Sequence, residues 1–266
     1  MTNPTKIDPT APVLVTGGTG TLGAHVLPLL RAAGREVRVL TRNPRPAADG
    51  VHYVAGDLLQ GENGEGVDAA LDGVQVVLHL AGDAKHDEQT TRNLVAAAKR
   101  AGVRHLVYIS VIAADEVPLG YFRAKHAAER IVAGSGVPFT TLRAAQFHDL
   151  ALKTAAAMAK LPVVPAPGAV RWEPVDAREV AARLVELALA APAGRVPDLA
   201  GPAVRTLPDL VRDYLGAVGK RRPMLPVRVP GGMGRAYRAG ANLARAGADH
   251  GTRTWEAFLA ERVTGR

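Results

Sequence analysis

"VTGGTGTLG" (residues 15–23) decides the fold. It follows an apolar run, PVLV at 12–15, and opens a helical pattern, TLGAHVLPLLRAAG at 21–34, that Gly34 closes. A strand, a glycine-rich turn and a helix in that order are the setting in which a glycine loop holds a pyrophosphate. Glycines 17, 20 and 23 fit G-x-x-G-x-x-G, and glycines 18, 20 and 23 fit G-x-G-x-x-G. One glycine allows the tight turn, another lets the backbone approach the phosphates, and the last lets the helix pack closely. The start of that helix presents unpaired N–H groups to an anion. Pro28 lies inside the helical pattern, where it removes a hydrogen bond and favours a kink.

Outward from the loop, strands are expected at EVRVLTR (36–42), VHYVAGD (51–57), VQVVLHLAG (74–82), HLVYISV (105–111) and FTTLRA (139–144). Helices at 87–102 and 121–134 separate them. Short β-branched runs alternating with helices predict the α/β class: a Rossmann-type, doubly wound parallel sheet with helices on both faces. The strand at 13–16 is expected at its centre. After about residue 145 the rhythm breaks. FHDLALKTAAAMAK reads as helical, LPVVPAPG is proline-rich, and VRWEPVDAREVAARLVELALA passes from a strand into an amphipathic helix. Asp176 is its expected N-cap, with Glu179 in the capping-box position. LPDLVRDYLGAVG, GRAYRAGANLARAG and TWEAFLAERV read as three further helices. The expected organisation is a flexible tail over 1–11, a nucleotide-binding domain over 12–150, and a small, mostly helical part over 151–266. That last part packs on the first domain, does not fold alone, and completes a substrate site.

Composition narrows the function. Of 266 residues, 47% are hydrophobic and 22% charged, which suits a full core rather than disorder. The chain has no cysteine, so disulfide and thiolate chemistry are excluded and a cytoplasmic setting is the simplest expectation. MTNPTKIDPTAP has no apolar run behind a basic start, so no signal peptide is expected. No apolar stretch is long enough to span a bilayer. The net charge is +8, but the arginines are scattered apart from KRR at 220–222, and aromatics are only 4%. That pattern argues against nucleic-acid and membrane partners. It fits a solvated basic surface, which also attracts a polyphosphate cofactor.

A dinucleotide fingerprint places an acid about 20 residues after the glycine loop, on the ribose 2′-hydroxyl. Here the second strand ends in Thr41–Arg42, with Arg45 nearby and no acid. A guanidinium suits a 2′-phosphate and a carboxylate repels one, so NADP(H) is favoured over NAD(H). Arg42 also reads as an ordinary solvated strand end. Asp57, ending the next strand, either reaches an adenine or starts a turn.

These pieces resemble the short-chain dehydrogenase/reductase superfamily, most closely its atypical, NmrA-like branch of nicotinamide-binding proteins. The resemblance is carried by TGGTGTLG, GD at 56–57, HLAG at 79–82, VYIS at 107–110, YFRAKHAAE at 121–129, GVPFTTLRAAQF at 136–147 and PVDAREVA around Asp176. It covers roughly residues 12 to 190. It implies that Gly17, Gly20 and Gly23 line the pyrophosphate, with Thr19, Thr21 and Leu22 close by. It implies that Arg42 meets the adenosine phosphate, Asp57 and Leu58 the adenine, and Ala81 and Gly82 the cofactor ribose. Ser110 would orient a substrate carbonyl, Tyr121 act as general acid, and Lys125 hold the nicotinamide ribose. Ala144 to Phe147 would lie near the nicotinamide amide.

The residue chemistry agrees. Tyr121 and Lys125 are four apart, on one helix face. Hydride addition to a carbonyl leaves a developing alkoxide that needs a proton and donors. A phenol with a pKa of about 10 is a poor acid at neutral pH. A nearby ammonium lowers that value. Ser110 leaves a parallel strand at its C-terminal end, where ligands bind in such sheets. The expected activity is NADPH-dependent reduction of a carbonyl or quinone-like small molecule by a monomer or homodimer. One alternative is a non-catalytic NADP(H)-binding regulator. Many NmrA-like relatives of that kind lack the tyrosine. Another is an epimerase or dehydratase that retains NAD, against which Arg42 argues.

Other residues carry less. His148 reads either as a donor to substrate or as a histidine at a helix start, beside Asp149. Asp83, His86 and Asp87 in GDAKHDE read as a solvated loop with helix N-terminal charges. Their spacing matches no familiar metal site, and no metal is expected. Trp172 and Glu173 are assigned to the boundary with the C-terminal part. No G-x-S-x-G nucleophile elbow is present.

Overall fold

Apolar, β-branched runs flanked by helices become buried parallel strands. In the computed structural model, which describes residues 7–43, 45–60, 66–82 and 85–264, these are β1 (Val13–Thr16), β2 (Val37–Thr41), β3 (Val51–Ala55), β4 (Val76–His79), β5 (His105–Val111) and β6 (Phe139–Ala144). They lie in the order β6-β5-β4-β1-β2-β3, the doubly wound arrangement, with β1 paired in parallel to both β2 and β4. The winding reverses between β1 and β4. A crevice at the carboxyl ends of the strands is expected there.

The connections are α1 (Gly23–Ala32), α2 (Val67–Leu71), α3 (Asp87–Arg100) and α4 (Gly120–Ala133). Strand side chains alternate between faces. Leu14, Leu40, Val77, Leu106 and Tyr108 pack with Leu94 and Ala98 of α3 and Ala128 and Val132 of α4. Val13, Val15, Val39 and Leu78, of opposite parity, are equally buried, so both faces of the sheet are covered. Helix α1 runs through Pro28, whose missing N–H leaves the Ala24 carbonyl without its usual donor.

The chain forms two compact units. One comprises Met1–Ser110, Ala124–Leu142 and Ala181–Val196; the other comprises Val111–Arg123, Arg143–Val180 and Pro197–Arg266. The division interleaves in sequence and is not a single cut near residue 150. After β6 come α5 (His148–Met158), β7 (Val164–Ala166), β8 (Arg171–Trp172), α6 (Ala177–Leu189) and β9 (Gly194–Arg195). Strand β9 returns to the first unit and pairs with Thr140 and Thr141 of β6.

The second unit has its own apolar core, including Trp172, Leu210, Tyr237, Trp255 and Phe258. Its remaining elements are β10 (Leu199–Ala200), β11 (Arg205–Thr206), α7 (Leu207–Ala217), β12 (Met224–Pro226), α8 (Gly231–Ala239), β13 (Asp249–His250) and α9 (Trp255–Leu259). Threonines cap two of the helices: Thr206 Oγ1 accepts from Asp209 N, and Thr254 Oγ1 from Ala257 N. Trp172 and Glu173 belong inside this unit, where Glu173 accepts from Ala244 N.

One expectation changes. Asp176 does cap α6, accepting from Arg178 N at 2.8 Å. Glu179 does not close a capping box; its carboxylate accepts instead from Thr252 N at 2.7 Å and from Arg253 N, loop donors that would otherwise be unpaired. The segment 1–11 was expected to be flexible. Residues 1–6 lie outside the described residues; in the rest, Asp8 N donates to Gln75 Oε1 at 2.8 Å and Arg35 to Ala11 O at 2.7 Å. Among the described residues, no helix is long and apolar enough to cross a membrane.

Candidate cofactor site

A cavity of about 360 Å³ opens at the carboxyl ends of the strands of the first unit. Thr16, Gly17 and Thr19 line it after β1, Thr41, Arg42 and Asn43 after β2, Asp57 and Leu58 after β3, and Ala81 and Gly82 after β4. His86 and Thr90 complete the wall. It therefore brings together Gly17, Thr19, Arg42, Asp57, Leu58, Ala81 and Gly82 from segments far apart in sequence.

The loop is glycine-rich because backbone meets backbone. Gly17 has φ of +70°, and a Cβ there would stand 2.6 Å from Ala81 N. Gly23 abuts Gly18, where a Cβ would come within 2.3 Å of the Gly18 carbonyl oxygen. Gly20 N donates to Gly17 O at 3.0 Å and closes the turn. Leu22 and Gly23 are buried and serve packing, whereas Thr21 is exposed; none of the three lines the cavity, nor does Gly20. At the other end β2 stops in Thr41–Arg42–Asn43, a cationic end with no carboxylate. Asp57 starts a turn, its Oδ1 accepting from Leu59 N at 2.9 Å, and it borders the cavity. A glycine cradle that any Cβ would fill, a helix start and a guanidinium suit the phosphates of a dinucleotide.

Behind the cavity wall runs a polar chain that the sequence reading missed. Thr16 Oγ1 accepts from Ala81 N at 3.3 Å and lies 2.7 Å from His79 Nδ1, while His79 Nε2 lies 3.0 Å from Thr91 Oγ1. His79 is fully buried, and burial, helped by the Lys125 charge, pushes its pKa down to about 3. The ring is therefore neutral at physiological pH. In the neutral ring one nitrogen donates to its threonine hydroxyl and the other accepts from the second threonine. The one signal was a histidine inside an otherwise apolar strand.

Lys125 lies at the same wall. Its side chain is nearly lost to solvent (the residue is 4% exposed) and Nζ sits 3.1 Å from Asp87 Oδ2. It also donates to Tyr108 OH and to Ile109 O, each at 3.2 Å. Tyr108 OH in turn donates to Asp87 Oδ2 at 3.0 Å. Burial lowers the Lys125 pKa and Asp87 opposes that shift. A Cβ at Gly82 would come within 2.3 Å of Asp87 Oδ1 and 2.9 Å of Lys125 Nζ, so the pair stands directly behind Gly82.

Asp87, read as a solvated helix-start charge, is thus a correction. It is buried because it turns inward to meet an ammonium that also needs a partner. His86, by contrast, is exposed in the turn before α3, as read, and it also lines the cavity. Asp83 lies outside the described residues.

The phenol hydrogen-bonded to Lys125 within this unit is Tyr108. Tyr121, one turn before Lys125 on α4, is 42% exposed, its ring edge-on to Phe122 at 5.8 Å. Ser110 is buried at the end of β5, and its Oγ has no hydrogen-bond partner. In the second unit Ala144 ends β6 and pairs with Leu199, and Phe147 bridges to Val175 at the start of α5. His148, read either as a donor to substrate or as a histidine at a helix start, opens α5 and is fully buried, its ring 5.1 Å from that of Phe258 and 5.9 Å from that of Trp255. The aromatic core of the second unit closes over it. None of Ser110, Tyr121, Lys125, Ala144, Phe147 and His148 lines the cavity.

A doubly wound sheet with a glycine cradle at its switch point defines a dinucleotide-binding Rossmann protein. The chain belongs to the NAD(P)H-binding family, whose model matches residues 17–189, and so to the NmrA-like, atypical branch of short-chain dehydrogenases. It is 34% identical over 214 residues to the (4-alkanoyl-5-oxo-2,5-dihydrofuran-3-yl)methyl phosphate reductase of Streptomyces griseus, covering 78% of this chain and 74% of that one. It is also 34% identical over 182 residues to the NAD(P)H azoreductase of Xenophilus azovorans, covering 65% and 62%. The fold is similar to that of the NADPH-dependent quinone oxidoreductase of Escherichia coli solved with NADPH. That likeness has a TM-score of 0.79 at 23% identity and covers 94% of this chain and 99% of that one.

Proposed function

We propose that the chain is an NADPH-dependent reductase that delivers a hydride to a carbonyl or quinone-like small molecule. The observation that carries this reading is the cavity itself, with a glycine cradle at one end and Arg42 at the other. Its relatives named above are reductases, which supports the same class. The bound nicotinamide nucleotide supplies the hydride.

This chain's residues do the rest. The backbone at Gly17 and Thr19 takes the pyrophosphate, and Arg42 pairs with the 2′-phosphate. Asp57 and Leu58 border the adenine, Ala81 and Gly82 the ribose. Lys125 presents its ammonium to the nicotinamide ribose, and Ala144 and Phe147 border the amide. The unpartnered Ser110 hydroxyl donates to the substrate oxygen, and the exposed Tyr121 phenol delivers the proton that the developing alkoxide takes up.

Two substitutions test this. Arg42→Ala is expected to raise the NADPH dissociation constant about 10- to 100-fold, since hydrogen bonds to charged groups are worth roughly 1.5–3 kcal/mol. NADH binding should change far less, and calorimetric titration with both nucleotides measures the difference. Equal losses would sink the phosphate assignment. Tyr121→Phe is expected to lower turnover of aldehydes, ketones or quinones by about 10²-fold or more, with NADPH affinity nearly unchanged. Full activity in the variant removes Tyr121 from the mechanism. NADPH binding without turnover by the wild type on any acceptor favours the regulator reading.

A further inference from the structure

We infer that Asp87 is the positioning residue of Lys125: sealed behind Gly82, the carboxylate holds the ammonium charged and aimed at the wall of the cofactor cavity. The inference deepens the reading above and rests on it only for the identity of the ligand.

The geometry leaves Lys125 little freedom. An ammonium has three N–H groups. Three oxygens of the protein lie within 3.2 Å of Nζ: Asp87 Oδ2, the charged one, and the neutral Tyr108 OH and Ile109 O, either of which a ligand oxygen can replace. Asp87 is 1% exposed, and its Oδ2 also receives the Tyr108 proton, so one oxygen fixes both donors. The second oxygen, Oδ1, has no partner and faces the Gly82 Cα, the position through which the pair meets the cavity wall.

A buried ammonium without a counter-ion tends to lose its proton. The groups facing Lys125 are few. Asp87 comes from α3, Tyr108 from β5, the neutral His79 from β4, and Glu129 from one turn further along α4. Asp87 is the carboxylate in contact with Nζ, so it decides whether the lysine is a cation at working pH. Gly82 is part of the same device: any side chain there would displace both partners.

The test is to titrate Lys125 directly by NMR, following its Cε signal, assigned with Lys125→Arg, in the cofactor-free protein. Asp87→Asn should move the Lys125 midpoint down by about one to three pH units, because an opposite charge within contact shifts a pKa by that much. Tyr108→Phe removes a hydroxyl but no charge and should leave the midpoint near that of the wild type. NADPH affinity should then begin to fall with rising pH at a correspondingly lower pH in Asp87→Asn.

An unchanged midpoint, or the same pH profile of binding in both proteins, overturns the inference. So does a Tyr108→Phe shift as large as that of Asp87→Asn. If Asp87→Asn does not fold, the wild type still decides the matter. Its Asp87 Cγ signal should move through the Lys125 midpoint, and a flat signal there overturns the coupling. Failure of the wild type to bind NADPH or NADH defeats the cofactor reading alone, since the lysine titration judges Asp87 without any ligand.

Discussion

Gly17→Val is expected to abolish binding of the nicotinamide nucleotide, raising its dissociation constant at least about 100-fold, since a misplacement of about 1 Å at a binding element already costs that much. Two effects add. The backbone at Gly17 has φ of +70°, a region that β-branched residues rarely enter. A Cβ there would also overlap Ala81, at 2.6 Å from N and 2.8 Å from Cα. Both contacts are with backbone, so no rotamer change relieves them. The turn after β1 must draw away from the segment after β4, and both segments line the cavity.

The control is Gly34→Ala. Its φ is +75°, but nothing lies within 4 Å of the added Cβ. It should cost about 1–2 kcal/mol of stability, the penalty of a left-handed residue, with no loss of affinity. Calorimetry and denaturant melts of the two variants separate the effects. Normal binding by Gly17→Val would show that the loop does not cradle the phosphates.

Asp87→Ala should destabilise the protein by about 3–5 kcal/mol, the range found when one partner of a buried ion pair is removed. It would leave Nζ buried without its counter-ion, with only Tyr108 OH and Ile109 O beside it. Adding Lys125→Met removes the stranded charge and fills the space with an apolar chain. The double variant is therefore expected to be more stable than Asp87→Ala alone. A double-mutant cycle from urea melts gives the coupling. Strict additivity of the two single losses would mean that the pair does not stabilise the fold as a pair.

Local chemistry made the frame legible. VTGGTGTLG with its flanking runs predicted the strand, turn and helix that form β1 and α1, and the alternation of apolar runs with helices predicted the doubly wound sheet. The cavity residues Gly17, Thr19, Arg42, Asp57, Leu58, Ala81 and Gly82 were legible through the resemblance carried by the glycine loop, GD and HLAG, and they fall within three residues of the ends of β1 to β4. What escaped depends on packing between distant segments. Asp87 and Lys125 are 38 residues apart, and nothing in GDAKHDE marks which of its polar groups turns inward. Tyr108 sits in HLVYISV, where it reads as core, so its hydroxyl contact with Lys125 is invisible to spacing arguments. His148 opens α5, one of its two readings, but its burial against Trp255 and Phe258, more than a hundred positions later, has no local signal. Glu179 has the spacing of a capping box, yet a distant loop offered it better donors at Thr252 and Arg253.

The interleaving of the two units constrains the order in which the chain can mature on the ribosome. The first unit is complete only when residues 181–196 have emerged, long after its glycine loop and most of its sheet. Thr140 and Thr141 of β6 wait for β9, made at 194–195. At about 5–20 residues per second, that leaves a bare strand edge for several seconds during synthesis. Unpaired edges recruit other strands. A nascent chain paused in this interval is therefore the form of the protein most exposed to mispairing and most in need of a chaperone.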